Sequence, residues 1–80
     1  MRLMYFHADW CGPCKSVGPI IKEIEDEGYE VERIDIDKQA DIAKKYNVMS
    51  IPTVLAFSGD KEIGREVGFV SKANIRSLLD

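Results

Sequence analysis

Trp10-Cys11-Gly12-Pro13-Cys14 holds both cysteines of the chain, close to its N-terminus. At this spacing two thiols sit one helical turn apart and close or open a disulfide without moving the backbone around them. Such a pair is a switch that takes up or gives away two electrons. A bridge across so short a loop adds little stability, because the entropic gain grows with loop length. The flanking pattern decides the fold. An apolar run precedes the pair, a helical run follows it, and a second strand-like run lies beyond, giving a strand–helix–strand unit with a dithiol at its first junction.

Arg2–His7 is short, apolar and aromatic, as a buried strand is. From Cys11 to about Glu27, the apolar residues Val17, Ile20, Ile21 and Ile24 recur at helical spacing on one face. Gly18-Pro19 should kink this helix, since proline lacks an N–H and crowds the carbonyl one turn back, and Gly28 should end it. Glu30–Ile36 reads as a second strand. Asp37 is the expected N-cap of a helix running to about Tyr46, with Ala40, Ala43 and Tyr46 on its inner side. Thr53–Phe57 is the most strand-like run. Ser58-Gly59-Asp60 turns it into a partner strand over Glu62–Val67, and Ser71 should cap a last helix that buries Ile75, Leu78 and Leu79.

The order β-α-β-α-β-β-α predicts an α/β fold. Its two leading βα units start a parallel, right-handed sheet, and the hairpin adds an antiparallel edge. A four-stranded mixed sheet in order 2-1-3-4 follows, with two helices on one face and one on the other. In such sheets chemistry belongs at the carboxyl ends of the parallel strands, where Cys11 falls.

Eighty residues give one domain, 1–80, with 45% hydrophobic and 31% charged residues, ordinary values for a soluble chain. The net charge of −3 argues against nucleic acid as a partner. No apolar run approaches the ~20 residues a bilayer needs. The opening run before His7 is shorter than the roughly 7–15 apolar residues of a secretory leader, so a cytoplasmic location is expected. In that reducing compartment a cysteine pair is catalytic rather than a structural staple.

Ala8-Asp9-Trp10-Cys11-Gly12-Pro13-Cys14-Lys15 resembles the active-site motif of the thioredoxin family. Pro19 matches that family's helix-kinking proline, Ile34-Asp35-Ile36-Asp37 its second central strand, Ile51-Pro52-Thr53 the loop whose proline is cis, and Gly68 a glycine lining the substrate groove. The likeness runs from Phe6 to Leu79. It implies a thioredoxin-like three-layer fold lacking the usual first strand and first helix, similar in size to glutaredoxins. It also implies a thiol–disulfide oxidoreductase, a monomer with no bound cofactor or metal. Electrons would come from an NADPH-dependent flavoprotein reductase and pass to disulfides of client proteins.

In this reading Cys11 is the nucleophile. Unpaired amides and the dipole at a helix N-terminus lower a thiol's pKa below its free value of ~8.5. Cys14, expected to be the less exposed of the two, resolves the mixed disulfide. Gly12-Pro13 tunes the loop, and Pro13 costs nothing in the first turn; the resemblance associates this dipeptide with reductants. Trp10, Ile51, Pro52, Val67 and Gly68, with Phe69 beside them, are expected to form the substrate platform. There Ile51 would pair with an extended client strand.

Two positions depart from the family. The strand position that usually buries an aspartate, six residues before Cys11, holds Tyr5, and the usual aromatic four residues before Cys11 is His7. Tyrosine is a poor base. His7 shares a strand face with Tyr5 and lies nearer the thiols. An imidazole changes charge near neutral pH, so His7 either takes over part of the aspartate's proton chemistry or fills the space of the aromatic. Asp35 is a second candidate proton acceptor. Asp9 and Lys15 read as solvated, and Tyr29, Tyr46 and Phe57 as packing.

Two alternatives compete. A glutaredoxin-like enzyme would use glutathione, but Cys-Gly-Pro-Cys is not its usual motif, and Phe69-Val70-Ser71-Lys72 lacks the Gly-Gly-x-Asp pattern that binds the glutathione carboxylate. A metal-binding module would have only two cysteines and His7 for a four-coordinate ion.

Overall fold

The computed structural model describes residues 1–80. In chain order the elements are β1 (Arg2–His7), α1 (Cys14–Asp26), β2 (Glu30–Asp35), α2 (Ala40–Lys45), β3 (Thr53–Ser58), β4 (Lys61–Val67) and α3 (Lys72–Leu79). The sheet runs β2-β1-β3-β4. β1 and β2 are parallel, and β3 is antiparallel to both β1 and β4. This is the thioredoxin-like topology that the strand and helix order predicts. No helix is long and apolar enough to cross a membrane.

The interior of β1, Leu3 to Phe6, is apolar because both its faces are covered. Leu3 and Tyr5 join Val54 and Ala56 of β3 under α1 and α3, which contribute Val17, Ile21, Ile24, Ile75 and Leu79. Met4 and Phe6 join Ile34, Leu55 and Phe57 under α2, which contributes Ala43. Two helices therefore lie on one face and one on the other. Tyr46 packs edge-on to both Phe6 and Phe57, and Tyr29 lies against the first cluster. Gly28 follows α1 with φ +105°, and Gly59 (φ +63°) makes the tight β3–β4 turn. Ser71 caps α3, its Oγ accepting the Asn74 N–H at 3.1 Å.

Three local expectations are corrected. α1 begins at Cys14, not Cys11. The residue before a proline avoids the helical region, and Cys11-Gly12-Pro13 forms a turn in which Lys15 N–H donates to Gly12 O at 3.0 Å. α2 begins at Ala40 behind Gln39, not behind an Asp37 cap. Asp35 makes the turn instead: its Oδ1 accepts the Asp37 N–H at 2.9 Å, and its backbone oxygen accepts from Lys38 and Gln39. The inner face of α2 is consequently Ile42, Ala43 and Tyr46, while Ala40 is exposed.

Candidate functional site

β1 carries the chain inward to His7, and Ala8-Asp9-Trp10 turns it back so that Cys11 meets the first turn of α1. The Cys11 N–H closes that turn on Ala8 O at 3.1 Å. Cys11 and Cys14 are joined in a disulfide with Cα atoms 5.3 Å apart. The Cys14 amide, the first of α1, donates to Cys11 Sγ at 3.2 Å. Helix-start amides have no partner within their own helix, so this donor is free to hold negative charge on the same sulfur. The cysteines are about equally buried, Cys11 4% and Cys14 6% exposed, which corrects the expectation that Cys14 would be the more sheltered. Ala8, Ile36 and Ile51 pack around both.

Opposite the dithiol, the Ile51–Pro52 peptide bond is cis, and Pro52 is buried. The loop after β4 is fastened to it: Gly68, at φ +88°, donates its N–H to Pro52 O at 2.9 Å. A side chain would strain that backbone, so the glycine has a conformational reason to be there. Val67 and Phe69 flank it, 57% and 77% exposed. Gly12 is exposed and open, Pro13 half-buried.

Trp10 is 67% exposed, and its indole N–H donates to Asp37 Oδ2 at 2.8 Å. Asp37, read from sequence as a helix cap, thus orients the tryptophan. Trp10, Ile36, Val48, Met49, Ser50 and Ile51 line an apolar groove of about 310 Å³ beside the disulfide. Met49, 94% exposed, is a wall of this groove that sequence reasoning misses. The only sequence signal for it is an apolar residue two positions before Ile51, the same strand face outside any strand.

A second groove of about 360 Å³ lies on the other side of the disulfide, lined by both cysteines with Tyr5, His7, Asp9, Lys15 and Arg33 among others. Tyr5 is buried, and its hydroxyl donates to Cys14 O at 3.0 Å. Burial pushes its pKa above 10.0, with Arg33 opposing, so it is a neutral donor rather than a base. Its ring stacks on His7, centroids 5.2 Å apart. Asp35, the other candidate acceptor, is half-buried and engaged with the Asp37 N–H. Asp9 and Lys15 are exposed.

The family model for thioredoxin matches residues 1–80. Thioredoxins of Staphylococcus epidermidis and Staphylococcus aureus are 37% and 39% identical over 83 aligned residues, covering all of this chain and 80% of theirs. Among solved structures, reduced Schistosoma mansoni thioredoxin pre-protein superposes with a TM-score of 0.88 at 33% identity, covering 96% of this chain and 73% of that one. A mutant thioredoxin from Halobacterium salinarum gives 0.89 at 30% identity, covering 95% and 68%. With its whole length matched at this identity, and its strand order shared, the chain belongs to the thioredoxin family of thiol–disulfide oxidoreductases.

Proposed function

We propose that this chain, acting as one domain over residues 1–80, is a cytoplasmic protein disulfide reductase. Cys11 is its nucleophile and Cys14 its resolving thiol. The observation that carries the reading is the Cys14 amide on Cys11 Sγ at 3.2 Å, which favours a thiolate at the first cysteine. In the reduced protein, Cys11 thiolate attacks one sulfur of a client disulfide. An S–S bond forms between protein and client, and the first client thiolate leaves and takes up a proton. Cys14 then loses its proton and attacks Cys11 Sγ, the mixed disulfide breaks, and the second client thiolate leaves. The client gains two electrons and the protein loses two.

Trp10, Met49, Ile51, Pro52, Val67 and Gly68 supply the surface on which the client strand lies. Main-chain pairing along Ile51 provides affinity, and the apolar groove beside Trp10 accepts a client side chain. Electrons return through an NADPH-dependent flavoprotein reductase. Insulin-disulfide reduction tests this against the glutathione-linked alternative. Turnover is expected with NADPH and a thioredoxin reductase. Faster turnover with glutathione and glutathione reductase would overturn the assignment in favour of a glutaredoxin-like role.

His7 lines the groove that Cys14 faces and takes the Cys14 proton during resolution. Phenylalanine preserves the ring stack with Tyr5 and removes the base. His7→Phe is therefore expected to slow resolution of the mixed disulfide about threefold and to leave its formation by Cys11 unchanged. An unchanged rate of resolution would leave His7 a filler of space.

A further inference from the structure

The two sulfurs must come together once in each cycle, when Cys14 attacks Cys11 Sγ in the mixed disulfide. In the oxidised protein the disulfide itself holds Cys14 against Cys11. In the mixed disulfide that bond is open. The Gly12-Pro13 link and the buried Val17, Ile21 and Ile24 still hold α1 in place, and the fine position of Cys14 rests on local contacts. Three such contacts are visible: Cys11 N–H on Ala8 O, Cys14 N–H on Cys11 Sγ, and Tyr5 Oη on Cys14 O. The first lies within the turn. The second is made to a sulfur whose charge and bonding partner change through the cycle, neutral in either disulfide and negative only as the thiolate. The third is independent of the state of either sulfur.

We propose that Tyr5 is a positioning residue for the second half of the exchange, holding the Cys14 thiol within reach of Cys11 Sγ once the bond between them has opened. This rests on the reductase reading above. Tyr5 is rooted in the central strand, where it pairs with Val54 on one side and Arg33 on the other, and it is buried in the larger core cluster. A phenylalanine would fill that space; what it would lack is the hydroxyl that hydrogen-bonds the helix at Cys14 O. The ring also fixes the plane of His7, so one side chain sets both the thiol and its proton acceptor. The hydroxyl stays protonated through the working range, since burial raises its pKa.

The charged groups around this assembly are few. Asp9 and His7 come from the end of β1 and its loop, Lys15 from α1, and Arg33 and Asp35 from β2. Arg33 is held by Glu25 in a two-point ion pair, at 3.0 and 3.2 Å. None of these groups contacts Cys14 O, so the hydroxyl is its side-chain partner.

Ellman's reagent separates the two steps. Reduced wild-type protein should release one thionitrobenzoate as Cys11 is captured and a second as Cys14 resolves the mixed disulfide. Tyr5→Phe should leave the first release unchanged and slow the second about fivefold, the worth of one hydrogen bond. Ile24→Val, in the same core cluster but remote from the dithiol, controls for lost stability and should slow neither. Equal slowing of both releases in Tyr5→Phe, or slowing of neither, overturns the proposal. A wild-type protein that stops after the first release overturns the dithiol reading itself.

Discussion

Cys11→Ser is expected to abolish disulfide reduction, and Cys14→Ser to stop it one step later with the client still attached. A serine hydroxyl is not ionised near neutral pH and does not attack sulfur, so the first variant should lose more than about a thousandfold in turnover and form no adduct. In the second, the nucleophile and the amide that faces it are intact. The Cys14 backbone N–H belongs to the main chain and still points at Cys11 Sγ. Attack should proceed and resolution should not. Mass spectrometry after incubation with insulin should show a stable protein–client disulfide in Cys14→Ser and none in Cys11→Ser. The assignment of roles fails if the adduct forms on Cys14 instead. It also fails if Cys14→Ser turns over at a near wild-type rate with glutathione present, because a monothiol cycle would then be at work.

The asymmetry behind that prediction is legible in the chain itself. The strand–helix–strand frame follows from period and punctuation. Arg2–His7 is apolar at every interior position because it lies between two helical layers, and Gly28, Gly59 and Ser71 mark ends that only their backbone or capping chemistry suits. Less legible are contacts that depend on two remote segments meeting. Asp37 carries a strong local signal for a helix cap, but Asp35 builds the turn first and Asp37 goes to Trp10, 27 residues away in sequence. Met49 lies outside any element, so no periodicity marks it as a groove wall. Tyr5 reads as a poor base, which is right. Its use as a donor to Cys14 is hidden, because the acceptor is a backbone carbonyl and every residue has one.

Phe6→Ala should cost about 3–5 kcal/mol of stability, the usual loss for removing a fully buried phenylalanine. That is a large share of the roughly 5–15 kcal/mol that holds a domain together, and a chain of this size sits toward the low end. The site explains why repacking would be limited. Phe6 lies on the α2 side of the sheet, where the one covering helix has six residues, the loop residues Val48 and Ile51 share the covering, and Tyr46 and Phe57 complete an aromatic edge-to-face chain. Urea unfolding followed by circular dichroism should show the midpoint falling by about 2 M. Chemistry should survive where the fold does. Phe6 points away from the face that carries Tyr5 and His7, so the rate per folded molecule should match wild type at low temperature and follow the unfolding curve on warming. If Phe6→Ala remained folded yet lost its reductase rate, the separation of the two core layers would be wrong, and the α2 side would have to be counted as part of the machinery that aligns the thiols.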